Sequence, residues 1–107
     1  MDTPISAKAA LLQALLTGDG YGLDLIERVR ARTRNTVLLN QGSVYPALRS
    51  LEKEGLVKCC KSEPSPKHRG RPRHYYRLTA LGNRSAHSQG KALASFFLIE
   101  LVNHSEQ

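Results

Sequence analysis

Apolar residues near the N-terminus recur at helical spacing: Ile5, Ala9, Leu12, Leu15 and Leu16 share one face of a helix predicted over residues 4–17. Gly18, Asp19 and Gly20 end it in a short turn. A second helix is predicted over residues 21–33, with Gly22, Leu25, Ile26 and Val29 as its buried stripe and Arg28, Arg30, Arg32 and Arg34 toward solvent. Val37, Leu38 and Leu39 are apolar without helical period and suit a single short strand. A third helix is predicted over residues 43–54, where Val44, Ala47, Leu48 and Leu51 mark the buried face. Pro46 is expected in its first turn, where a missing N–H costs nothing. That makes Ser43 or Gly42 the expected N-cap and Gly55 the C-cap glycine. The opposite face presents Ser43, Tyr45, Pro46, Arg49, Ser50 and Lys53.

Two strand-like runs follow, over residues 56–61 and 73–79, and the loop between them carries Pro64, Pro66, Gly70 and Pro72. They predict an extended hairpin. A last helix is expected over residues 80–103. Its first half is small and polar, whereas residues 92–99 are apolar on nearly every face. Such a surface needs cover that so small a domain cannot supply, and a second chain is expected to supply it. The order of elements gives a mainly α fold with a small β-hairpin. Residues 1–79 are expected to form a winged helix-turn-helix DNA-binding domain, and residues 80–107 a C-terminal dimerisation helix.

A chain of 107 residues has room for one domain and a modest core. The uncharged run over residues 92–99 is far shorter than the ~20 apolar residues of a membrane span. Met1 is followed by Asp2 and Pro4 with no basic leader pattern, so no secretory signal is expected. The two adjacent cysteines cannot build a disulfide framework. A soluble, cytoplasmic domain is the expectation.

The net charge is +7, unevenly placed: residues 1–63 hold nine cations against seven acids, and residues 64–107 hold seven against two. No acid occurs over residues 64–99, the stretch containing Lys67, Arg69, Arg71, Arg73, Arg77, Arg84 and Lys91. This asymmetry fits a polyanion partner as well as it fits a solvated basic face.

In a winged helix-turn-helix the third helix enters the DNA major groove. Ser43 and Tyr45 can donate hydrogen bonds to phosphates, and Arg49 and Lys53 can reach base edges or backbone. Ser43 reads equally as a helix cap, Tyr45 also as a half-buried aromatic, and Arg49 also as a surface ion pair with Glu52 or Glu54. The hairpin loop runs Lys67-His68-Arg69-Gly70-Arg71-Pro72-Arg73. Its Arg-Gly-Arg-Pro resembles the core of the AT-hook, a segment that lies in the minor groove. Gly70 permits close approach, Pro72 keeps the chain extended, and arginine suits the negative potential of a narrow A·T-rich groove.

At these residues the chain resembles the PadR-like transcriptional regulators. The resemblance is carried by Tyr21-Gly22-Leu23-Asp24-Leu25-Ile26 and by Gly42-Ser43-Val44-Tyr45-Pro46-Ala47-Leu48-Arg49, followed by Leu51-Glu52-Lys53-Glu54-Gly55-Leu56. It continues in Gly70-Arg71-Pro72-Arg73-His74-Tyr75-Tyr76-Arg77-Leu78-Thr79-Ala80-Leu81-Gly82. Val44 departs from a more common Leu, and Leu81 from a small or polar residue. The resemblance implies a homodimeric bacterial transcription factor, usually a repressor. Ser43, Tyr45 and Pro46 then fall at the DNA-facing start of the recognition helix, and Arg71 and Arg73 in the wing. The single short C-terminal helix looks like that of the shorter subfamily, which pairs through this helix and the first one. Leu12, Leu93, Phe96, Phe97 and Leu101 are the implied dimerisation residues. A two-fold dimer predicts a pseudo-palindromic operator with half-sites about 34–36 Å apart or a multiple of that.

The remaining candidates for chemistry are few. Cys59 and Cys60 alternate in a strand and cannot chelate one metal together; a redox role for either needs an exposed thiol of low pKa. His68, His74, His87 and His104 lack metal-ligand spacing. The glycine-rich run over residues 18–22 follows a helix instead of a strand, which disfavours a nucleotide fingerprint. No cofactor, metal or catalytic constellation is expected, so the chain does not read as an enzyme. The expected partners are double-stranded DNA and a second copy of the chain. Phe96 and Phe97 could line a small-molecule effector pocket or pack a dimer. The alternative to a DNA-binding regulator is a winged-helix interaction module in a larger assembly, its basic face meeting an acidic protein.

Overall fold

The computed structural model describes residues 5–64 and 72–105, with the side chains of the last helix described as far as Phe96. The elements run α1 (Ala7–Leu15), β1 (Gly20–Tyr21), α2 (Gly22–Arg32), α3 (Gln41–Lys53), β2 (Val57–Glu63), β3 (Arg73–Leu78) and α4 (Ala80–Ser105). Ser6 caps α1 by accepting from the Ala9 N–H at 3.2 Å. The helix buries Ala10, Leu11, Leu12, Ala14 and Leu15, which occupy more than one face, because it packs against α2, α3 and α4 alike. The core is completed by Leu25 and Val29 from α2, by Val44, Ala47, Leu48 and Leu51 from α3, and by Val57 and Ala86.

The strand expected at residues 37–39 and the expected start of the third helix both change. Val37 and Leu39 are buried and Leu38 is 60% exposed, yet residues 37–39 form no strand. The antiparallel sheet has the order β1-β3-β2 and takes in none of these residues. The Val37 N–H is instead satisfied by Thr33 Oγ1 at 3.0 Å. The third strand comes from Gly20 and Tyr21, which pair with Tyr76 and Tyr75. The start of α3 moves upstream to Asn40, not Ser43 or Gly42. The Asn40 carboxamide accepts from the Ser43 N–H at 3.0 Å, and Ser43 Oγ reaches back to the Asn40 backbone, closing a reciprocal cap. Pro46 therefore sits in the second turn, and the Gly42 carbonyl four residues earlier loses its helical donor; Gly42 is exposed, so water can replace it.

Gly55 ends α3 as expected. It adopts φ +77°, its N–H reaches the Glu52 carbonyl at 3.0 Å, and the Leu56 N–H reaches Leu51 at 2.9 Å, which is the Schellman pattern. The same turn starts α4. Thr79 donates through Oγ1 to the Gly55 carbonyl at 2.6 Å and accepts from the Gly82 N–H at 3.0 Å, while its own N–H bonds Leu56 at 3.0 Å. Gly82 lies against the Leu56 carbonyl so closely that a Cβ there would stand 1.8 Å from the oxygen. One threonine and one glycine thus fasten the end of the third helix to the start of the fourth.

A candidate nucleic-acid interface

The recognition-helix face is set by α3. Its buried stripe points Val44, Ala47, Leu48 and Leu51 inward, which leaves Gln41, Tyr45, Pro46, Arg49, Glu52 and Lys53 exposed. Among the described residues, neither Arg49 nor Lys53 has a carboxylate within 4.0 Å, and Glu54 instead pairs with Lys8 at 2.6 Å. The two cations therefore stand open, and the surface ion pair considered for Arg49 is not formed among these residues. Tyr45 is 42% exposed, with its ring laid against α2. A Cβ on Gly22 would meet the Tyr45 ring at 2.7 Å, so the Tyr-Gly of the second helix and the Tyr-Pro of the third are two halves of one contact. Ser43 is half-buried, and its hydroxyl donates to the Asn40 carbonyl at 3.1 Å as part of the cap. Gln41 was absent from the expected face because the helix was expected to begin two residues later; its exposure at the first position of α3 adds it.

Beside this face lies the β2–β3 hairpin. Its register pairs Val57 with Leu78, Cys59 with Tyr76, Lys61 with Tyr75 and Glu63 with Arg73. Cys60 is the extra residue of a bulge between Cys59 and Lys61. Arg73 pairs with Glu63 at the loop end of the strands, whereas Lys67, Arg69 and Arg71, expected in the loop itself, lie outside the described residues. Two basic residues of the hairpin are already matched. Arg77 forks onto Asp19, with Nη2 at 2.8 Å from Oδ2 and Nε at 3.3 Å from Oδ1, and Lys61 bonds Glu63 at 2.5 Å. The Arg77 hydrogen bond holds the Asp19 carboxyl below its ordinary range, and Lys61 does the same for Glu63. Tyr76, half-buried between α3 and the sheet, has its phenol pushed up by burial and then by the nearby Glu52 carboxylate, so it stays a neutral donor.

Cys60 does not meet the requirement for a reactive thiol. Burial, then the Asp19 carboxylate, pushes its pKa up, and the Sγ lies 3.6 Å from Asp19 Oδ2 and 3.5 Å from the Tyr75 carbonyl. Cys59 is exposed, with its Sγ 3.7 Å from the Lys61 carbonyl. Among the described residues, no three His, Cys, Asp or Glu side chains gather to hold a metal ion, and no helix is long and apolar enough to cross a membrane.

The implied dimerisation residues separate into two groups. Leu12 is 6% exposed and packs within the protomer's own core, where only α1 as a whole could present a surface. Leu93 and Phe96 on α4 are 41% and 75% exposed. The side chains of Phe97 and Leu101 lie outside the described residues. The first half of α4 docks on α1 through Gln13, which donates to the Ala86 carbonyl at 2.8 Å and to Gln89 at 2.9 Å; beyond it, Lys91 and every described side chain to Phe96 face outward.

Known proteins share this architecture. A PadR family transcription regulator from hypervirulent Clostridium difficile R20291 is 25% identical, with 94% of this chain covering 98% of that one at a TM-score of 0.66. The Bacillus subtilis PadR in complex with operator DNA is 22% identical and shares the fold, with 76% of this chain covering 44% of that one at a TM-score of 0.65. An uncharacterized protein of Lysinibacillus sphaericus is 29% identical over 72 residues, which span 67% of this chain and 63% of the length of that relative. The model of the transcriptional regulator PadR-like family matches residues 11–88, a stretch that takes in both halves of the Tyr45–Gly22 contact, the Gly55 turn and the Thr79–Gly82 clasp, so the chain belongs to the PadR-like family of transcriptional regulators.

Proposed function

We propose that this chain is a sequence-specific DNA-binding repressor that works as a homodimer on a pseudo-palindromic operator. The observation that carries the reading is the exposed face of α3, where Arg49 and Lys53 lack a carboxylate partner among the described residues and stand beside a hairpin that carries Arg73 at its loop end. Tyr45, Pro46, Arg49 and Lys53 serve the major groove and its phosphates, with Ser43 holding the start of the helix. Lys67, Arg69, Arg71 and Arg73 serve the minor groove and backbone. Residues 1–79 are the DNA-binding unit, and residues 80–107 pair two copies through Leu93, Phe96, Phe97 and Leu101. The operator-bound Bacillus subtilis PadR supports DNA as the partner, because it has the same fold.

Selection from a random duplex library at near-physiological salt tests this reading. The expected product is a pseudo-palindrome bound ~10³-fold or more over random DNA, with half-sites about 34–36 Å apart or a multiple. Arg71→Ala is expected to weaken binding most on A·T-rich flanks; equal loss on all flanks would leave Arg71 a phosphate contact only. Weak, sequence-blind binding by the intact protein overturns the reading. Light scattering then decides for the interaction-module alternative if the pure chain is a monomer with its α4 surface uncovered.

A further inference from the structure

The loop-side half of the hairpin strands holds an aromatic arrangement that the DNA reading leaves unused. Tyr21 meets Tyr75 edge-on, with ring centroids 5.2 Å apart and planes at 68°. The Arg73 guanidinium carbon lies over the Tyr21 ring, 4.8 Å from its centroid. Lys61 Nζ stands 5.3 Å from the Tyr75 ring. The register explains the grouping. Tyr21 pairs with Tyr75, and Arg73 precedes Tyr75 by two residues on β3, so both point to the same face. Glu63 is the cross-strand partner of Arg73, yet its carboxylate is engaged by Lys61 at 2.5 Å and by the Tyr75 hydroxyl at 3.3 Å. Among the described residues, Arg73 has no carboxylate within 4.0 Å. The cation thus rests on a ring without a direct ion pair, although its charge is still felt by Glu63 and adds a last, small part to the lowering of that carboxyl. Ring contact occupies none of the guanidinium N–H donors in a charge-assisted bond, so they stay available to phosphate oxygens.

We infer that Tyr21 is a positioning residue for DNA binding: its ring holds the Arg73 guanidinium at the loop end of the hairpin strands, where that charge meets a phosphate of the duplex. Tyr21 lies outside the hairpin, in the connection from α1 to α2, so it also ties the aim of the wing to the helical body. The inference rests on the function proposed above. Tyr75 and Lys61 contribute by engaging the Glu63 carboxylate, which forms no direct ion pair with Arg73.

The test measures binding of the full chain to a labelled duplex carrying the selected site, over a range of salt, for the wild type, Tyr21→Phe, Tyr21→Leu, Arg73→Ala and the Tyr21→Leu/Arg73→Ala double variant. Tyr21→Phe keeps the ring and is expected to bind within twofold of wild type. Tyr21→Leu is expected to lose about threefold to tenfold in affinity. Arg73→Ala is expected to flatten the salt slope by about 0.9, the release belonging to one phosphate, and Tyr21→Leu to flatten it in part. In the double variant the leucine adds less than twofold to the arginine loss, because the ring has no cation left to hold. Thermal melts accompany each variant. A purely structural role lowers the melting point and adds its full loss on the Arg73→Ala background, which overturns the inference. So does a Tyr21→Phe loss as large as that of Tyr21→Leu, or an Arg73→Ala variant with unchanged salt slope. Failure of the wild type to bind any duplex specifically overturns the parent reading instead.

Discussion

Arg28 shows how far a single side chain can depart from its place in a pattern. With Arg30, Arg32 and Arg34 it was expected to face solvent. Its side chain is only 20% exposed, because the guanidinium turns back to the C-terminal end of α1. There it donates to the Ala14 carbonyl at 3.0 Å, to Gly18 at 2.8 Å and to Asp19 at 2.9 Å, and it pairs with Asp24 at 2.7 Å. These carbonyls lie at a helix end and the turn beyond it, where intrahelical donors run out and a cation is favoured. Arg28→Ala is expected to cost about 2–3 kcal/mol in urea denaturation, since it strips several acceptors at once. Arg28→Lys should recover little of this, because an ammonium cannot span the same fork. A loss below about 0.5 kcal/mol would mean that water serves the acceptors equally well. Gly82 is the other single-residue constraint. Gly82→Ala is expected to destabilise by about 3 kcal/mol or to prevent folding, as a methyl group cannot share space with the Leu56 carbonyl; an unchanged melt would show that α4 can shift at no cost.

At the scale of elements, the ends of helices decide more than their middles. α2 ends in a Schellman turn as α3 does: the Arg34 N–H bonds Ala31 at 3.3 Å and the Asn35 N–H bonds Arg30 at 2.9 Å. Here, however, the left-handed positions are taken by Arg34 at φ 51° and Asn35 at φ 64°. Asparagine tolerates that region, but arginine carries the full steric cost of its Cβ. Arg34→Gly is therefore expected to raise stability by about 1 kcal/mol in thermal or chemical denaturation. A neutral or negative change would show that the glycine's extra freedom in the unfolded chain offsets the relief of strain. Such ends were only partly legible. Gly55 announced itself because a glycine after a periodic run has few other uses. Nothing marks Arg34 as left-handed, since its conformation is imposed by where the chain must go next. The start of α3 was misplaced for a related reason: Ser43 looks like a cap, but Asn40 takes that place and Ser43 becomes its reciprocal partner.

At the scale of the molecule, α4 is half integrated and half unpartnered. Its first half is fixed to α1 through Gln13 and to α3 through the Thr79 clasp. Beyond Gly90 the described side chains leave the body, with Phe96 at 75% exposure. The proposed homodimer gives that surface its cover. Phe96→Glu is expected to convert a dimer to a monomer in light scattering, and to remove any dependence of the melting temperature on protein concentration. An undisturbed two-chain mass would move the pairing surface away from Phe96. The same reasoning assigns Leu12 to the protomer, because at 6% exposure its apolar surface is already spent.

Local physics was enough to read much of this protein from its sequence. Hydrophobic periodicity located the first three helices, strand-like runs on either side of a Pro- and Gly-bearing loop located the hairpin, and a C-terminal glycine located the end of α3, because each signal is contained in a few neighbouring residues. The face of α3 carrying Tyr45, Arg49 and Lys53 was readable for the same reason: once the buried stripe is known, the opposite side follows from helix geometry. What only the tertiary structure decided involves residues far apart in the chain. These are the pairing of Gly20 and Tyr21 with β3, the inward turn of Arg28, and the seating of Tyr45 on Gly22. They also include the exclusion of residues 37–39 from the sheet and the placing of Tyr21 beneath Arg73. Each depends on which edge, carbonyl or ring is left available after the core has closed. No local pattern encodes that, because the competing partners meet only in the folded chain.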